Sequence, residues 1–268
     1  MNIGKRHENL ILFFCTLILS VLGAVMVFSA TSVTAVASAR YGNDTAYFFK
    51  RQVLFLVMGA SLAVLLTRID YDFYRRRIGL LLVSTLVLLL LAFVPGIRHT
   101  ANGASRWINL RVFTFQPSEL AKFVLLAFAA YTIDRKGENP KDGLKVFLPV
   151  LAVMGVFIAV ILKEPDFGMA VVIGASCMAL LFIAGFPWQL LAGLIGAGAA
   201  GVAILIATKP YRMARLQAFI DPFSQAQAAG YQVVQSLIAF SNGGFLGTGI
   251  GAGRQKLFYL PEIHTDYI

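Results

Sequence analysis

Seven uninterrupted apolar stretches decide what this chain can fold into. They fall at about 10–33, 51–68, 78–95, 117–133, 145–162, 167–185 and 188–208. A helix needs roughly 17–25 such residues to cross a bilayer. Only helices and closed barrels satisfy every backbone group in lipid, and a barrel strand would alternate apolar with polar residues. Continuous runs therefore predict an all-α polytopic integral membrane protein with about seven transmembrane helices. Charged residues make up only 13% of the chain, against about 25% in a soluble domain. The first run extends from Leu10 to about Ala30. A signal-peptide core is only about 7–15 residues, so this run reads as an uncleaved span despite the Ala37-Ser-Ala39 sequence behind it.

Beyond position 208 the chain leaves hydrocarbon. Residues 209–266 read as one large polar loop, and Tyr267-Ile268 as the start of an eighth helix, so the sequence is expected to be part of a longer protein. Residues 1–268 read as a single membrane domain with no internal repeat. Lys and Arg in short loops set orientation. With a cytoplasmic N-terminus, the inner side holds Lys5, Arg6, Arg68, Arg75, Arg76, Arg77, Arg135, Lys136, Lys141 and Lys145. The outer side holds Arg40, Lys50, Arg51, Arg98, Arg106, Arg111 and Lys163. The triple Arg75–Arg77 is the clearest cytoplasmic mark, and seven spans then put the 209–266 loop outside.

The net charge of +10 lies in the gaps between spans, which points to anionic membrane lipids rather than nucleic acid. Cys15 and Cys177 sit inside apolar runs and read as packed free thiols. His7, His99 and His264 show no ligand spacing, so no metal site is predicted.

Four polar constellations interrupt this pattern. The first is Asn102-Gly-Ala-Ser-Arg-Trp-Ile108 followed by Phe115-Gln-Pro-Ser-Glu-Leu-Ala-Lys122. Pro117 suits a first helical turn. Glu119 and Lys122, three apart, share a face and can pair, either to fix helix register or to serve a site. Trp107 reads either as an interfacial anchor or as a platform for a sugar, with Arg106 beside it for phosphate. The second is Lys163-Glu-Pro-Asp-Phe-Gly168, where Asp166 reads as a helix cap and the two acids as an alternative cation or hydroxyl site. The third is Pro210–Pro222, where Arg212 and Arg215 share one face of an interfacial helix and face either headgroups or a diphosphate. The fourth opens at Gly230. Tyr231 with Gln235, and Gln232 with Ser236, form a polar stripe opposite Val233, Val234, Leu237 and Ile238, as in a helix at the bilayer surface. Six glycines between Gly243 and Gly253 follow. They fit neither a P-loop nor a dinucleotide fingerprint. Glu262, His264 and Asp266 close the loop, and one carboxylate there could serve as a general base.

These stretches, in this order, resemble the FtsW/RodA/SpoVE family, also called SEDS (shape, elongation, division and sporulation). The residues carrying the likeness are Asn-Gly-Ala-Ser-Arg-Trp, Phe-Gln-Pro-Ser-Glu-Leu-Ala-Lys, Glu-Pro-Asp-Phe-Gly, Tyr-Arg-Met-Ala-Arg-Leu-Gln-Ala-Phe-Ile-Asp-Pro, Gly-Tyr-Gln-Val-Val-Gln-Ser-Leu-Ile-Ala and Leu-Pro-Glu-Ile-His-Thr-Asp-Tyr-Ile. The wording of the Gln-Ser-Leu-Ile-Ala and Gln-Lys-Leu-Phe-Tyr-Leu-Pro-Glu segments is closest to the division and sporulation branch. The resemblance implies about ten transmembrane helices in a full-length member. It also implies an inverting peptidoglycan glycosyltransferase of the bacterial cytoplasmic membrane.

Its implied substrates are lipid II and undecaprenyl-diphosphate-linked glycan. Its implied partners are a class B penicillin-binding protein and other divisome proteins. The family's essential aspartate falls on Asp266 and its tryptophan on Trp107; its helix-four pair falls on Glu119 and Lys122. The candidate substrate-binding set is Arg106, Trp107, Glu119, Lys122, Arg212, Arg215, Gln235, Lys256, Glu262 and His264. A divalent cation, Mg or Mn, would suit a diphosphate leaving group, although no ligand set in the sequence requires one. Pro-Glu-Ile-His stands where the family usually has Pro-Glu-Ala-His. Two other readings fit the same residues: a lipid II flippase, and a non-catalytic divisome scaffold.

Overall fold

The structure is a computed structural model that describes residues 3–96, 98–101, 104–110, 113–136, 143–249, 251–255, 257 and 259. All seven apolar runs are helical. They form α1 (Ile3–Val36), α2 (Tyr47–Leu66), α3 (Tyr71–Leu91), α4 (Pro117–Lys136), α5 (Gly143–Lys163), α6 (Phe167–Ile183) and α7 (Trp188–Ala207). By length and composition, Asn9–Val36, Tyr47–Leu66 and Trp188–Ala207 can cross a membrane; the apolar stretches Phe147–Lys163 and Phe167–Ile183 are shorter. Two further helices follow, α8 (Pro210–Ile220) and α9 (Tyr231–Gly243).

Between α3 and α4 the expected loop is a small antiparallel sheet in the order β1-β2-β3: β1 (Arg98–Ala101), β2 (Ala104–Asn109) and β3 (Thr114–Phe115). The architecture is otherwise helical, as the apolar runs predict, with this sheet confined to one connection. Arg98 pairs with Ile108, His99 with Trp107, and Ile108 with Phe115, with an irregularity between His99 and Thr100. Side chains alternate along a strand. Arg106 and buried Ile108 therefore share one face of β2, and half-buried Trp107 takes the other.

The chain divides into two compact units, residues 69–202 and residues 1–68 with 203–268. In the first, α3 to α6 pack around Leu89, Ala121, Leu125, Phe157, Ile161, Ile173 and Cys177. A second cluster joins Ala129, Phe147, Val150, Leu181, Phe186 and Leu191, with the Phe147 and Phe186 rings 4.2 Å apart. The buried Cys177 thiol is thus core packing, as its apolar setting predicts.

In the other unit, α1 packs on α2, and Phe28 meets Phe49 edge-on at 5.7 Å. No residue of α2 is buried, and α1 exposes Leu12, Phe13 and Leu19. Such a surface is costly in water and suited to lipid. At α9, Val234 and Ser236 are buried while Leu237, Ile238 and Phe240 are exposed. The buried edge therefore follows neither predicted stripe. Ser236 tolerates burial because its hydroxyl donates to the Val233 carbonyl at 2.7 Å. Gly230 precedes this helix where a Cβ would collide with the Pro222 carbonyl.

Arg75, Arg76 and Arg77 lie within α3 rather than in the preceding loop. The Asp70 carboxylate accepts the Asp72 N–H at 3.3 Å and starts the helix early. Replacing Asp70 with Ala is expected to cost about 1 kcal/mol, read as a lowered melting temperature of the full-length protein. Arg75 pairs with Asp134 at 3.1 Å, so the head of α3 and the tail of α4 lie at one end of this unit.

Candidate functional site

The opposite end of the same unit gathers the sheet, the head of α4 and the α5–α6 turn. Their junction is polar. The Arg106 Nη2 donates to the Pro165 carbonyl, and its Nη1 lies 3.8 Å from Asp166 Oδ1. Gln116, just before α4, donates through Nε2 to Asp166 Oδ2 at 2.8 Å and to Ser118 Oγ at 3.0 Å. Asp166 Oδ1 also accepts the Met169 N–H at 3.3 Å, which makes it the N-cap of α6, as its position in the sequence predicts. One carboxylate thus closes a helix and holds both β2 and the head of α4.

Two groups here are chemically unsatisfied. Arg106 Nε is buried with no partner among the described residues, as are both carboxyl oxygens of Glu164. Glu164 is fully buried, at 0% exposure. Burial, and next the Asp166 carboxylate, push its carboxyl from 4.5 up to about 8, against the pull of Arg106. The folded chain holds this proton more tightly than the unfolded chain does. Stability linked to it is therefore full below about pH 4.5 and lost as the pH rises through about 8.

The Arg106 side chain is 36% exposed. It presents a planar donor set with unused hydrogen-bonding capacity, the geometry suited to an oxyanion such as a phosphate. Glu119 and Lys122 sit in the first turns of the same α4 and pair at 2.8 Å, as their spacing predicts. Among the described residues no three His, Cys, Asp or Glu side chains come together as a metal-binding group.

The other expected site residues belong to the second unit or fall outside the described residues. Arg212 donates to the Leu205 carbonyl at 2.8 Å and to the Tyr211 hydroxyl at 2.9 Å. Arg215 is exposed on α8, and Gln235 is half-buried on α9. Lys256, Glu262, His264 and Asp266 lie outside the described residues. Sequence reasoning singles out Arg106, Asp166 and, as one of the two acids flanking Pro165, Glu164, but not their contact, and it does not single out Gln116. The two acids flanking Pro165 were the available signal, since adjacent carboxylates on one tight turn cannot both be well solvated and buried.

Residues 9–268 match the family model FTSW_RODA_SPOVE, described as cell cycle protein. A probable peptidoglycan glycosyltransferase FtsW of Geobacter sp. (strain M18) is 43% identical over 260 residues, covering 97% of this chain and 70% of that protein. Its counterpart in Saccharophagus degradans is 40% identical, covering 99% and 68%. The crystal structure of the rod shape determining protein RodA of Thermus thermophilus aligns at a TM-score of 0.54 and 27% identity, over 71% of this chain and 58% of that one. A structure described as structural coordination of polymerization and crosslinking by a peptidoglycan synthase complex aligns at 0.59 and 29% identity, over 81% and 62%. The chain thus spans under two thirds of those solved chains and just over two thirds of the curated relatives.

Proposed function

The chain belongs to the FtsW/RodA/SpoVE family of cell cycle proteins, and from that premise we propose that it is the greater part of a peptidoglycan glycosyltransferase. The full protein polymerises lipid II into β-1,4-linked glycan at the outer face of the bacterial cytoplasmic membrane, in division or sporulation. Relatives named peptidoglycan glycosyltransferase at about 40% identity support this reading. The observation that carries it at the level of residues is the half-exposed Arg106 guanidinium at the polar junction of the sheet, α4 and the α5–α6 turn. A transferase whose leaving group is a diphosphate needs such a donor set.

In the proposed reaction Asp266 takes the proton from the GlcNAc 4-hydroxyl of an incoming lipid II. That oxygen forms a bond to C1 of the terminal MurNAc on the growing glycan. The bond from C1 to the diphosphate breaks, undecaprenyl diphosphate leaves, and C1 inverts. Arg106, Arg212 and Arg215 balance the charge of the leaving diphosphate, with Lys256, Glu262, His264 and Gln235 in supporting contacts. Trp107 offers a sugar platform, and Glu119 with Lys122 fixes the register of α4 beside it. Mg or Mn enters only as a companion of the diphosphate, with no protein ligand assigned. The proposal includes a cytoplasmic N-terminus, seven spans in this chain with a large outer loop behind them, one membrane domain, and a class B penicillin-binding protein as partner.

The purified full-length protein, supplied with lipid II, is expected to yield polymeric glycan on a gel. Movement of lipid II across a vesicle without any polymer would identify a flippase instead. Absence of both would leave a scaffold.

A further inference from the structure

Glu164 is the least explained group in this unit. It follows the last turn of α5, and its N–H bonds to the Val160 and Ile161 carbonyls at 3.3 and 3.1 Å. The negative end of the helix dipole disfavours a carboxylate there. Full burial with no hydrogen bond to the carboxyl among the described residues disfavours it more. Both arguments hold the side chain in its neutral form.

The charged residues on the elements that meet at this turn are Arg106 on β2, Asp166 at the head of α6, Glu119 and Lys122 on α4, and exposed Lys163 on its own helix. On α3, Asp72 and Arg75–Arg77 lie at the far end, where Arg75 pairs with Asp134. Glu119 and Lys122 pair with each other. The two that act on Glu164 are Asp166 and Arg106. A neutral Glu164 leaves the Arg106–Asp166–Glu164 group with one positive and one negative charge. An ionised Glu164 leaves it net negative.

We propose that Glu164 is a positioning residue that works as the neutral acid, leaving Arg106 one carboxylate to answer to and its remaining donors free for the substrate's diphosphate. The inference rests on the assignment of Arg106 to the diphosphate made above. It adds that binding of the anionic substrate is gated by one proton on a residue the substrate does not touch. As the pH rises through the range where Glu164 ionises, anion affinity falls and the chemical step does not.

The test is steady-state polymerisation by the full-length protein with its transpeptidase partner, using lipid II, from about pH 6 to about pH 9. For the wild type, KM is expected to rise about tenfold across that range, the effect of one added charge near a guanidinium. Glu164→Gln, neutral at every pH, is expected to keep the low KM throughout while kcat follows the wild-type profile. Arg106→Gln, run in parallel, is expected to raise KM at every pH. A wild-type KM that stays flat overturns the inference without recourse to any variant. So does a Glu164→Gln protein that retains the wild-type slope in KM. If Arg106→Gln leaves KM unchanged, the diphosphate assignment itself fails. If it raises KM while the other two proteins share one slope, only the role of Glu164 fails.

Discussion

Replacing Asp266 with Asn in the full-length protein is expected to abolish glycan polymerisation while leaving expression and melting temperature unchanged. Asn keeps the size and the acceptor oxygen of Asp but cannot take up a proton at neutral pH. Loss of a general base typically lowers the rate about 10²–10⁴-fold. The incoming hydroxyl is a poor nucleophile until its proton has somewhere to go, so the effect falls on kcat rather than on KM. The measurement is glycan length and yield from lipid II on a gel. Normal polymer from this variant would remove Asp266 as the base and return the choice to Glu262 or to a base elsewhere.

The second large effect is expected at Arg106. Arg106→Ala removes the cation nearest the buried Asp166 carboxylate and the bond to the Pro165 carbonyl. Stripping one partner from a buried charged group costs about 2–4 kcal/mol. By contrast the Glu119–Lys122 pair is half exposed, and breaking it is expected to cost under about 1 kcal/mol. Thermal melting of the full-length protein reads both. In an Asp166→Asn background, Arg106→Ala is expected to cost less, because the stranded charge is already gone. Equal losses in the two backgrounds would show that Arg106 acts without its charge pairing to Asp166.

The helices were legible because lipid leaves no choice. A continuous apolar run in a membrane chain has one way to satisfy its backbone, and all seven runs are helices. Local capping and pairing were legible for the same reason: Asp166 caps Met169 and Glu119 meets Lys122, within three positions each. The sheet was not, since Arg98–Ala101 is short and polar and its partner strand carries no sustained alternation. The apolar pattern places the start of α3 too late because the Arg triple reads as a loop, although Asp70 upstream of it is a good cap. The Arg106–Asp166 contact joins residues 60 apart through the packing of four helices, and no periodicity reports it. Nor could sequence alone separate a solvated Glu164 from a sealed one. The proposed base, Asp266, rests on family resemblance alone and lies outside the described residues.

The two oxygens of Asp166 are divided between tasks. Oδ1 closes the first turn of α6 and faces Arg106, while Oδ2 receives the Gln116 amide. An Asn in that place can still cap α6 through its oxygen, but it loses the charge facing Arg106 and its amide meets the Gln116 amide donor unless that group flips. Position 166 therefore couples two helices through one carboxylate, and a change there acts on the head of α6 and the head of α4 together. Glu164, whose carboxyl has no hydrogen-bond partner among the described residues, can change without breaking a bond that ties elements together.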